Sequence, residues 1–361
     1  MQLKNLGWSE SFAHSFAPYA KQGYCVGRVA VAHRSQYQLY TERGDCSATL
    51  TGKFRHQAEK SEDFPAVGDW VVIHLETATH QALIQAILPR QGQFSRQAAG
   101  TKNEAQIIAA NINTLFLMSG LDHDFNLRRI ERYLVMAWQS GATPTIILNK
   151  ADLCEDLEDK IVAVGKIAIA APILTLSALY QNNLEALTPY LQPGKTIALL
   201  GSSGVGKSTL TNKLIGHDVQ ITQAVRADDS RGRHTTTHRE MLKLPSGALL
   251  IDTPGMRELP LWSNNNRTAE QPTDTIGETF SDIENLAQQC RFRNCQHSSE
   301  PGCAIQAAIE SGTLSTKRLN SYQKLQREQA YQNRRQDKQA NSNAKARWKH
   351  ITQMVRQQRQ D

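Results

Sequence analysis

One nine-residue stretch limits the folds open to this chain more than any other. Gly201–Thr209 reads GSSGVGKST and fits the pattern G-x-x-x-x-G-K-[ST]. The apolar run Thr196–Leu200 precedes it, and Leu210–Leu214 reads on as helix. A strand, a glycine-bearing loop and a helix, in that order, turn the N–H groups of a helix N-terminus toward an anion. Gly201, Gly204 and Gly206 permit a tight wrap free of side chains, with Ser202, Ser203 and Val205 between them and Thr209 behind. Lys207 sets a positive charge on the outer phosphates, and the Ser208 hydroxyl suits Mg²⁺. The stretch predicts a nucleoside triphosphate site in an α/β sheet without naming the base.

The base is read elsewhere. Apolar runs at 107–110, 114–118, 145–148 and 173–176 alternate with predicted helices over 126–139, 157–168 and 184–191. That is the pattern of a parallel sheet covered by helices. Asn149-Lys150-Ala151-Asp152 follows one strand end, where open α/β sheets bind ligands. Asn149 is expected to hydrogen-bond a purine, the Lys150 stem to cover its face, and Asp152 to accept from the guanine N1–H and amino group. Adenine lacks that donor pair and would leave a buried carboxylate unpaired. Ser177-Ala178-Leu179 follows the next strand end, with backbone N–H groups for the guanine carbonyl. Beyond the loop, a hairpin-like pair at 241–244 and 248–251 leads into Asp252-Thr253-Pro254-Gly255. Asp252 fits the outer sphere of Mg²⁺ and the Gly255 N–H fits a γ-phosphate. The segment Asp228–His238 is polar and hydroxyl-rich, and a threonine there can close over Mg²⁺ and γ-phosphate in the triphosphate state. These are the guanine-nucleotide motifs of a Ras-like GTPase in a permuted order, with the base-reading segments ahead of the phosphate loop. A parallel sheet tolerates this when the former termini are adjacent and joined.

The flanks differ from this middle. Residues 1–95 hold five strand candidates, at 27–33, 36–40, 46–51, 69–74 and 82–88, which fit an OB-like or an SH3-like barrel equally well. Residues 96–104 read as a linker. Cys25, Cys46 and Cys154 stand alone and read as small buried residues, whereas Cys290, Cys295, His297 and Cys303 cluster. Three thiolates and an imidazole make a closed four-ligand set, suited to structural tetrahedral Zn²⁺. From Thr313 onward there is no Gly or Pro, which favours helix. The chain carries 41 Lys/Arg against 34 Asp/Glu, yet Ser311–Asp361 alone holds 12 against 3. The basic excess belongs to the C-terminal end and points to a polyanionic partner. No apolar run reaches the ~18–20 residues of a membrane span, and the N-terminus shows no signal-peptide core, so a cytoplasmic protein with no membrane partner is expected.

The order barrel, NKAD, SAL, GSSGVGKS, GRHTTT, DTPG and C-x4-C-x-H-x5-C resembles the small ribosomal subunit biogenesis GTPases, the RsgA or YjeQ family, over essentially all 361 residues. The resemblance implies three domains: an OB-fold barrel (1–97), a circularly permuted α/β P-loop GTPase domain (98–262) and a mostly helical zinc-binding domain with a basic tail (263–361). It implies GTP and GDP as ligands, Mg²⁺ with GTP, one structural Zn²⁺ per chain on Cys290, Cys295, His297 and Cys303, and docking of a monomer on the small ribosomal subunit and its rRNA late in assembly, with hydrolysis stimulated there. By the same match Thr236 is the switch threonine that joins Ser208 on Mg²⁺. The position after the DTPG glycine, where a Ras-like enzyme has its water-orienting Gln, is Met256, so hydrolysis by the isolated chain is expected to be slow. His234 is the candidate to position or deprotonate the water. The rival reading is an RNA-binding module with a vestigial nucleotide site, and the intact Lys207, Ser208 and Asp252 stand against it.

Overall fold

Five short strands near the start of the chain close on themselves. In the computed structural model, which describes residues 2–33, 36–76, 81–97, 105–168, 170–216, 239–252 and 275–334, these are β1 (Cys25–Ala32), β2 (Tyr37–Thr41), β3 (Gly44–Leu50), β4 (Trp70–Glu76) and β5 (Gln81–Ile87). β1, β2 and β3 form an antiparallel meander, β3 pairs parallel with β5, and β4 lies antiparallel between β5 and β1. The parallel β3–β5 pair and the β1–β4 closure make a five-stranded barrel of OB type and resolve the choice that the sequence left open. β2 and β3 alternate buried and exposed residues, as strands with one face on a core do. Val29, Leu39, Ala48, Val71, Ile73 and Ile84 fill the interior.

Two elements here are absent from the sequence reading. Helix α1 (Glu10–Ala20), capped by the Ser9 hydroxyl, precedes the barrel, and α2 (Gly52–Gln57), capped by Thr51, lies between β3 and β4. Arg28 of β1 is buried and joins three segments. Its guanidinium donates to the carbonyl oxygens of Leu6, Gly68 and Asn111 and lies 5.6 Å from the centre of the Trp70 ring. Gly68 is required at that junction. It has φ +93°, and a Cβ there would come 2.1 Å from the Ala110 carbonyl oxygen.

The expected linker at 96–104 is partly strand. β6 (Gln93–Gln97) pairs antiparallel with β7 (Ala105–Ala110), and residues 98–104 lie outside the described ones. The central sheet then follows, with β8 (Thr114–Gly120), β9 (Thr143–Asn149), β10 (Ile173–Leu176), β11 (Thr196–Gly201), β12 (Glu240–Lys243) and β13 (Leu249–Asp252). Its spatial order is β10-β9-β8-β11-β13-β12, parallel except for β12. Helices α3 (Leu127–Ser140), α4 (Leu157–Gly165) and α5 (Lys207–Ile215) connect the strands. The predicted helix over 184–191 is a 3₁₀ helix, Leu184–Tyr190. The chain starts in mid-sheet at β8, winds out to the β10 edge, returns to β11 beside β8, and winds to the other side. The strand order therefore reverses between β8 and β11, which in open α/β sheets is where the ligand crevice opens, beyond the strand carboxyl ends.

β12 also joins the barrel. Val31 of β1 pairs with Glu240, the Tyr40 hydroxyl donates to the Met241 carbonyl at 2.7 Å, and Lys243 forms an ion pair with Asp45 at 2.7 Å. The two sheets run together as one of 11 strands.

The last described segment is helical, with α6 (Thr275–Thr279), α7 (Ser281–Ala287), α8 (Ala304–Glu310) and a terminal helix over residues 316–334. Ile276, Phe280, Ile283, Leu319 and Tyr322 share a core with Ile130 and Leu134 of α3. Buried Arg318 reinforces that seam: it bonds Glu131 of α3 at 2.7 Å, Asp282 of α7 through two donors at 2.7 Å, and the Thr279 carbonyl. Of the isolated cysteines only Cys46 is buried. Cys25 and Cys154 are half-buried, Cys154 because Lys160 and Asp156 keep its edge of the molecule polar.

Candidate functional site

The loop after β11 has the conformation that its sequence demands. β11 ends at Gly201, Gly204 and Gly206 take φ of 75° and 101°, and α5 starts at Lys207. Gly206 is the N-cap and carries no capping side chain, so the first-turn N–H groups of α5 open into the loop. A Cβ on Gly206 would meet Asn149 Nδ2 at 2.3 Å. The Lys207 ammonium folds back over the loop, donating to the carbonyl oxygens of Gly201 (2.8 Å) and Ser202 (2.5 Å). Ser203, Ser208 and Thr209 are half-buried around this curl, and Val205 is buried beneath it.

Asn149 is the brace of the site. It is buried, its Nδ2 donates to the Val205 carbonyl at 2.8 Å, and its Oδ1 accepts the Ala178 N–H at 2.9 Å. One side chain thus locks the loop after β9 to the phosphate loop and to the loop after β10. The bond to Val205 uses one of the two Nδ2 hydrogens of Asn149, and the Ala178 N–H is held by Asn149 Oδ1. Ser177 is buried, and its backbone closes a tight turn with Asn182. Lys150 sits at φ 65°, and Ala151 and Asp152 open a 3₁₀ turn. The Asp152 carboxylate is exposed, with no hydrogen bond or ion pair among the described residues. It is free to accept from a ligand edge.

A further wall of the crevice carries no familiar motif. The loop after β8, Leu121–Asn126, lies on the same strand ends. Asp122 takes the Lys150 ammonium at 2.6 Å and the Asp124 N–H at 3.1 Å. Desolvation pushes the Asp122 carboxyl up, but these two donors outweigh it and hold the group below its ordinary value. Asp124 accepts the Ser202 hydroxyl of the phosphate loop and pairs with Arg129 of α3 at 2.6 Å. Two carboxylates just past an apolar run are the signal in the sequence that could have drawn attention to this loop, and the strand-order reversal in the fold is what makes it a wall of the crevice. Asp252 ends β13, the strand next to β11, on the same side of the sheet. His234, Thr236, Gly255 and Met256 lie outside the described residues.

The second cluster is set apart in the helical segment. One ligand atom from each of Cys290, Cys295, His297 and Cys303 lies within 4.8 Å of the others. Cys290 Sγ is 3.9 Å from Cys303 Sγ, and His297 Nδ1 is 3.7 and 3.6 Å from the same two sulfurs. A tetrahedral metal with ~2.3 Å metal–sulfur bonds requires ligand separations of about 3.8 Å, so the donor set fits such an ion. His297 has φ 59°, a conformation held by Glu300, which accepts the N–H groups of Gln296, Ser298 and Ser299. These bonds, that of Gln296 foremost, hold the Glu300 carboxyl down at about 2.

Comparison with known proteins agrees with this geometry. The family model described as RsgA GTPase matches residues 87–262. The ABC transporter model matches residues 184–359, a stretch that holds the same phosphate loop. Small ribosomal subunit biogenesis GTPase RsgA 2 of Lactiplantibacillus plantarum is 49% identical over 322 residues, 89% of this chain and 88% of its own. The small ribosomal subunit biogenesis GTPase RsgA of Opitutus terrae is 46% identical over 361 residues, 98% of this chain and 96% of its own. Among solved structures, YjeQ from Thermotoga maritima superposes with a TM-score of 0.60 at 27% identity, covering 84% of this chain and 97% of its own. YloQ, described as a circularly permuted GTPase, superposes with a TM-score of 0.59 at 25% identity, covering 85% and 96%.

Proposed function

Because the chain belongs to the RsgA family of GTPases and is a GTP hydrolase, we propose that it binds the small ribosomal subunit late in assembly and hydrolyses GTP to GDP and phosphate there, with turnover stimulated by the subunit. The observation that most supports this reading is the convergence of three loops on the crevice between β8 and β11, tied by Asn149 and leaving Asp152 free. In this reading the N–H groups of Gly201–Thr209 wrap the phosphates. Lys207 leaves its two carbonyl partners for the β- and γ-phosphates; Ser208, Thr236 and Asp252 are the residues that would hold Mg²⁺, which would supply charge neutralisation of the phosphates there. Asp152 accepts the guanine N1–H and amino group, and Lys150, held by Asp122, lies along the base. Thr236 and Gly255 report the γ-phosphate, and His234 orients the attacking water in place of the Gln that Met256 replaces.

The Cys290, Cys295, His297 and Cys303 set holds one structural Zn²⁺, which closes the loop ahead of α8. The chain works as a three-domain monomer in the cytoplasm, with boundaries near residues 97 and 262. Phosphate release by the purified protein, with and without small subunits, tests the proposal. A marked rise on adding subunits is expected, and equal rates would overturn the assembly role. Metal analysis should return about one zinc per chain, and none would overturn the ligand set.

A further inference from the structure

A cleft of about 350 Å³ lies where the barrel meets the central sheet. Its walls include Tyr37 at the start of β2, Phe64 and Val67 ahead of β4, Ile107 and Ile108 of β7, and Arg239, the residue before β12. None of its lining residues belongs to the loops after β8, β9, β10 or β11, so the cleft is separate from the nucleotide crevice. Its volume is at the lower end of the ~300–1,000 Å³ of small-molecule pockets, which favour such junctions and combine apolar walls with a few polar groups. At ~30 Å³ per molecule it has room for about a dozen waters.

Two polar groups on different elements line this space. The first is the Tyr37 hydroxyl. Tyr37 is 3% exposed, yet its hydroxyl has no hydrogen-bond partner among the described residues. Nor is it one of the fully enclosed polar atoms that lack a partner, so the space it touches is the cleft that its side chain lines. Burial pushes the Tyr37 pKa up, so the group keeps its proton and can donate it. The second is Arg239. It is half-buried, and its Nη1 donates to the Ile107 carbonyl at 3.2 Å, which holds the guanidinium against the wall. It is the only permanent charge among the lining residues, and no carboxylate accompanies it.

We infer that this cleft is a binding site for a small aromatic carboxylate. An aromatic body suits walls made by Phe64, Val67, Ile107 and Ile108, which lose contact with water when it enters. A carboxylate suits a guanidinium, whose geometry it matches, with one hydroxyl donor beside it. A phosphate dianion suits the cleft less, because it would meet a single fixed cation. Arg239 adjoins Glu240, which pairs with Asp252 at the end of β13, so an occupant abuts the strand pair that ends at the nucleotide crevice.

Calorimetric titration of the full-length protein, with and without saturating GDP, tests this with three probes: cinnamate, 4-hydroxybenzoate and indole-3-acetate, each beside its neutral amide. Saturable binding of at least one acid is expected in both states, at least tenfold tighter than its amide, because the carboxylate accepts charge-assisted hydrogen bonds. Arg239→Gln should erase that preference. Tyr37→Phe should weaken the acid about threefold and leave thermal melting of the ligand-free protein unchanged, since the hydroxyl it removes has no partner to lose. A Tyr37 that served packing alone would leave the acid's affinity unchanged as well. GDP affinity in both variants should match the wild type and certify the fold. No saturable binding of any acid at millimolar concentration would overturn the inference, as would equal affinity for acid and amide, acid binding unaltered in either variant, or binding seen only without GDP. Tighter binding of oligouridylate than of every acid would also overturn it, since barrels of this type take nucleic-acid bases too.

Discussion

Replacing Asn149 by Ala removes a donor and an acceptor from the interior at once. The Val205 carbonyl and the Ala178 N–H, both in residues about 1% exposed, lose their partners. Leaving a buried polar group unpaired costs about 1–3 kcal/mol, so the two together cost about 2–6 kcal/mol. That cost must surface in one of two places. If the loops hold their shape, the ligand-free protein loses the stability. If they relax, the nucleotide must rebuild them and binding loses it. The lower bound of about 2 kcal/mol corresponds to roughly 30-fold in affinity. Asn149→Asp should do at least as much harm, since it keeps the acceptor for Ala178 but sets an oxygen against the Val205 oxygen. The assay pairs calorimetric GDP titration with thermal melting of the ligand-free protein. A residue that acted only by touching the base would weaken binding and leave ligand-free melting alone. Unchanged melting and a less than fivefold change in affinity would refute the brace.

Asp152→Asn should move preference from GTP toward xanthosine triphosphate, because the new amide donates where the carboxylate accepted; unchanged preference in competition binding would remove Asp152 from the base site. Arg318→Met leaves buried Glu131 with Arg128 as its remaining ion-pair partner and leaves half-buried Asp282 without its cation; it should destabilise the protein by about 1–3 kcal/mol, less than for a fully orphaned buried charge, and denaturant unfolding within about 0.5 kcal/mol of wild type would contradict it. Asp122 has its carboxyl pKa lowered on folding, so its stabilising contribution is complete above the ordinary value of 3.8 and disappears as pH falls through the lower folded value. The stability gap between wild type and Asp122→Asn should therefore stay constant from pH 8 to about pH 5 and close in stronger acid, as melting curves would reveal. Glu300→Gln should weaken metal binding about tenfold by loosening the backbone on both sides of His297, measured by chelator competition.

Most of the nucleotide crevice is legible in the sequence because the loops after β9, β10 and β11 are short, follow apolar strands and bear fixed residue patterns. Lys207, Asn149 and Asp152 can be assigned to strand ends from that pattern alone. What their side chains do in the absence of ligand is not legible: that Asn149 grips Val205 and Ala178 depends on three strand ends meeting, which no local window contains. The barrel type is undecidable for a similar reason. An OB barrel is recognised by the parallel β3–β5 pair, a non-local contact that leaves no periodic trace. Glu131 could be suspected, since it stands four and seven residues before Val135 and Trp138 on the apolar face of its helix. Its partner Arg318 could not, because its segment is rich in basic residues that are mostly solvated. Asp122 and Asp124 belong to no recognised pattern, and only their place at the strand-order reversal gives them a role.

The order of the strands has a consequence in time. β8 leaves the ribosome early, yet its partner β11 pairs Ile197 with Thr114 across 83 residues of chain. At about 5–20 residues per second, the base-reading half of the sheet waits roughly 4–17 s for the strand that carries the phosphate loop. Throughout that interval β8 presents one open, largely apolar edge, and no nucleotide can shield it. A newly made copy of this enzyme therefore cannot bind its own substrate until most of the chain has been synthesised.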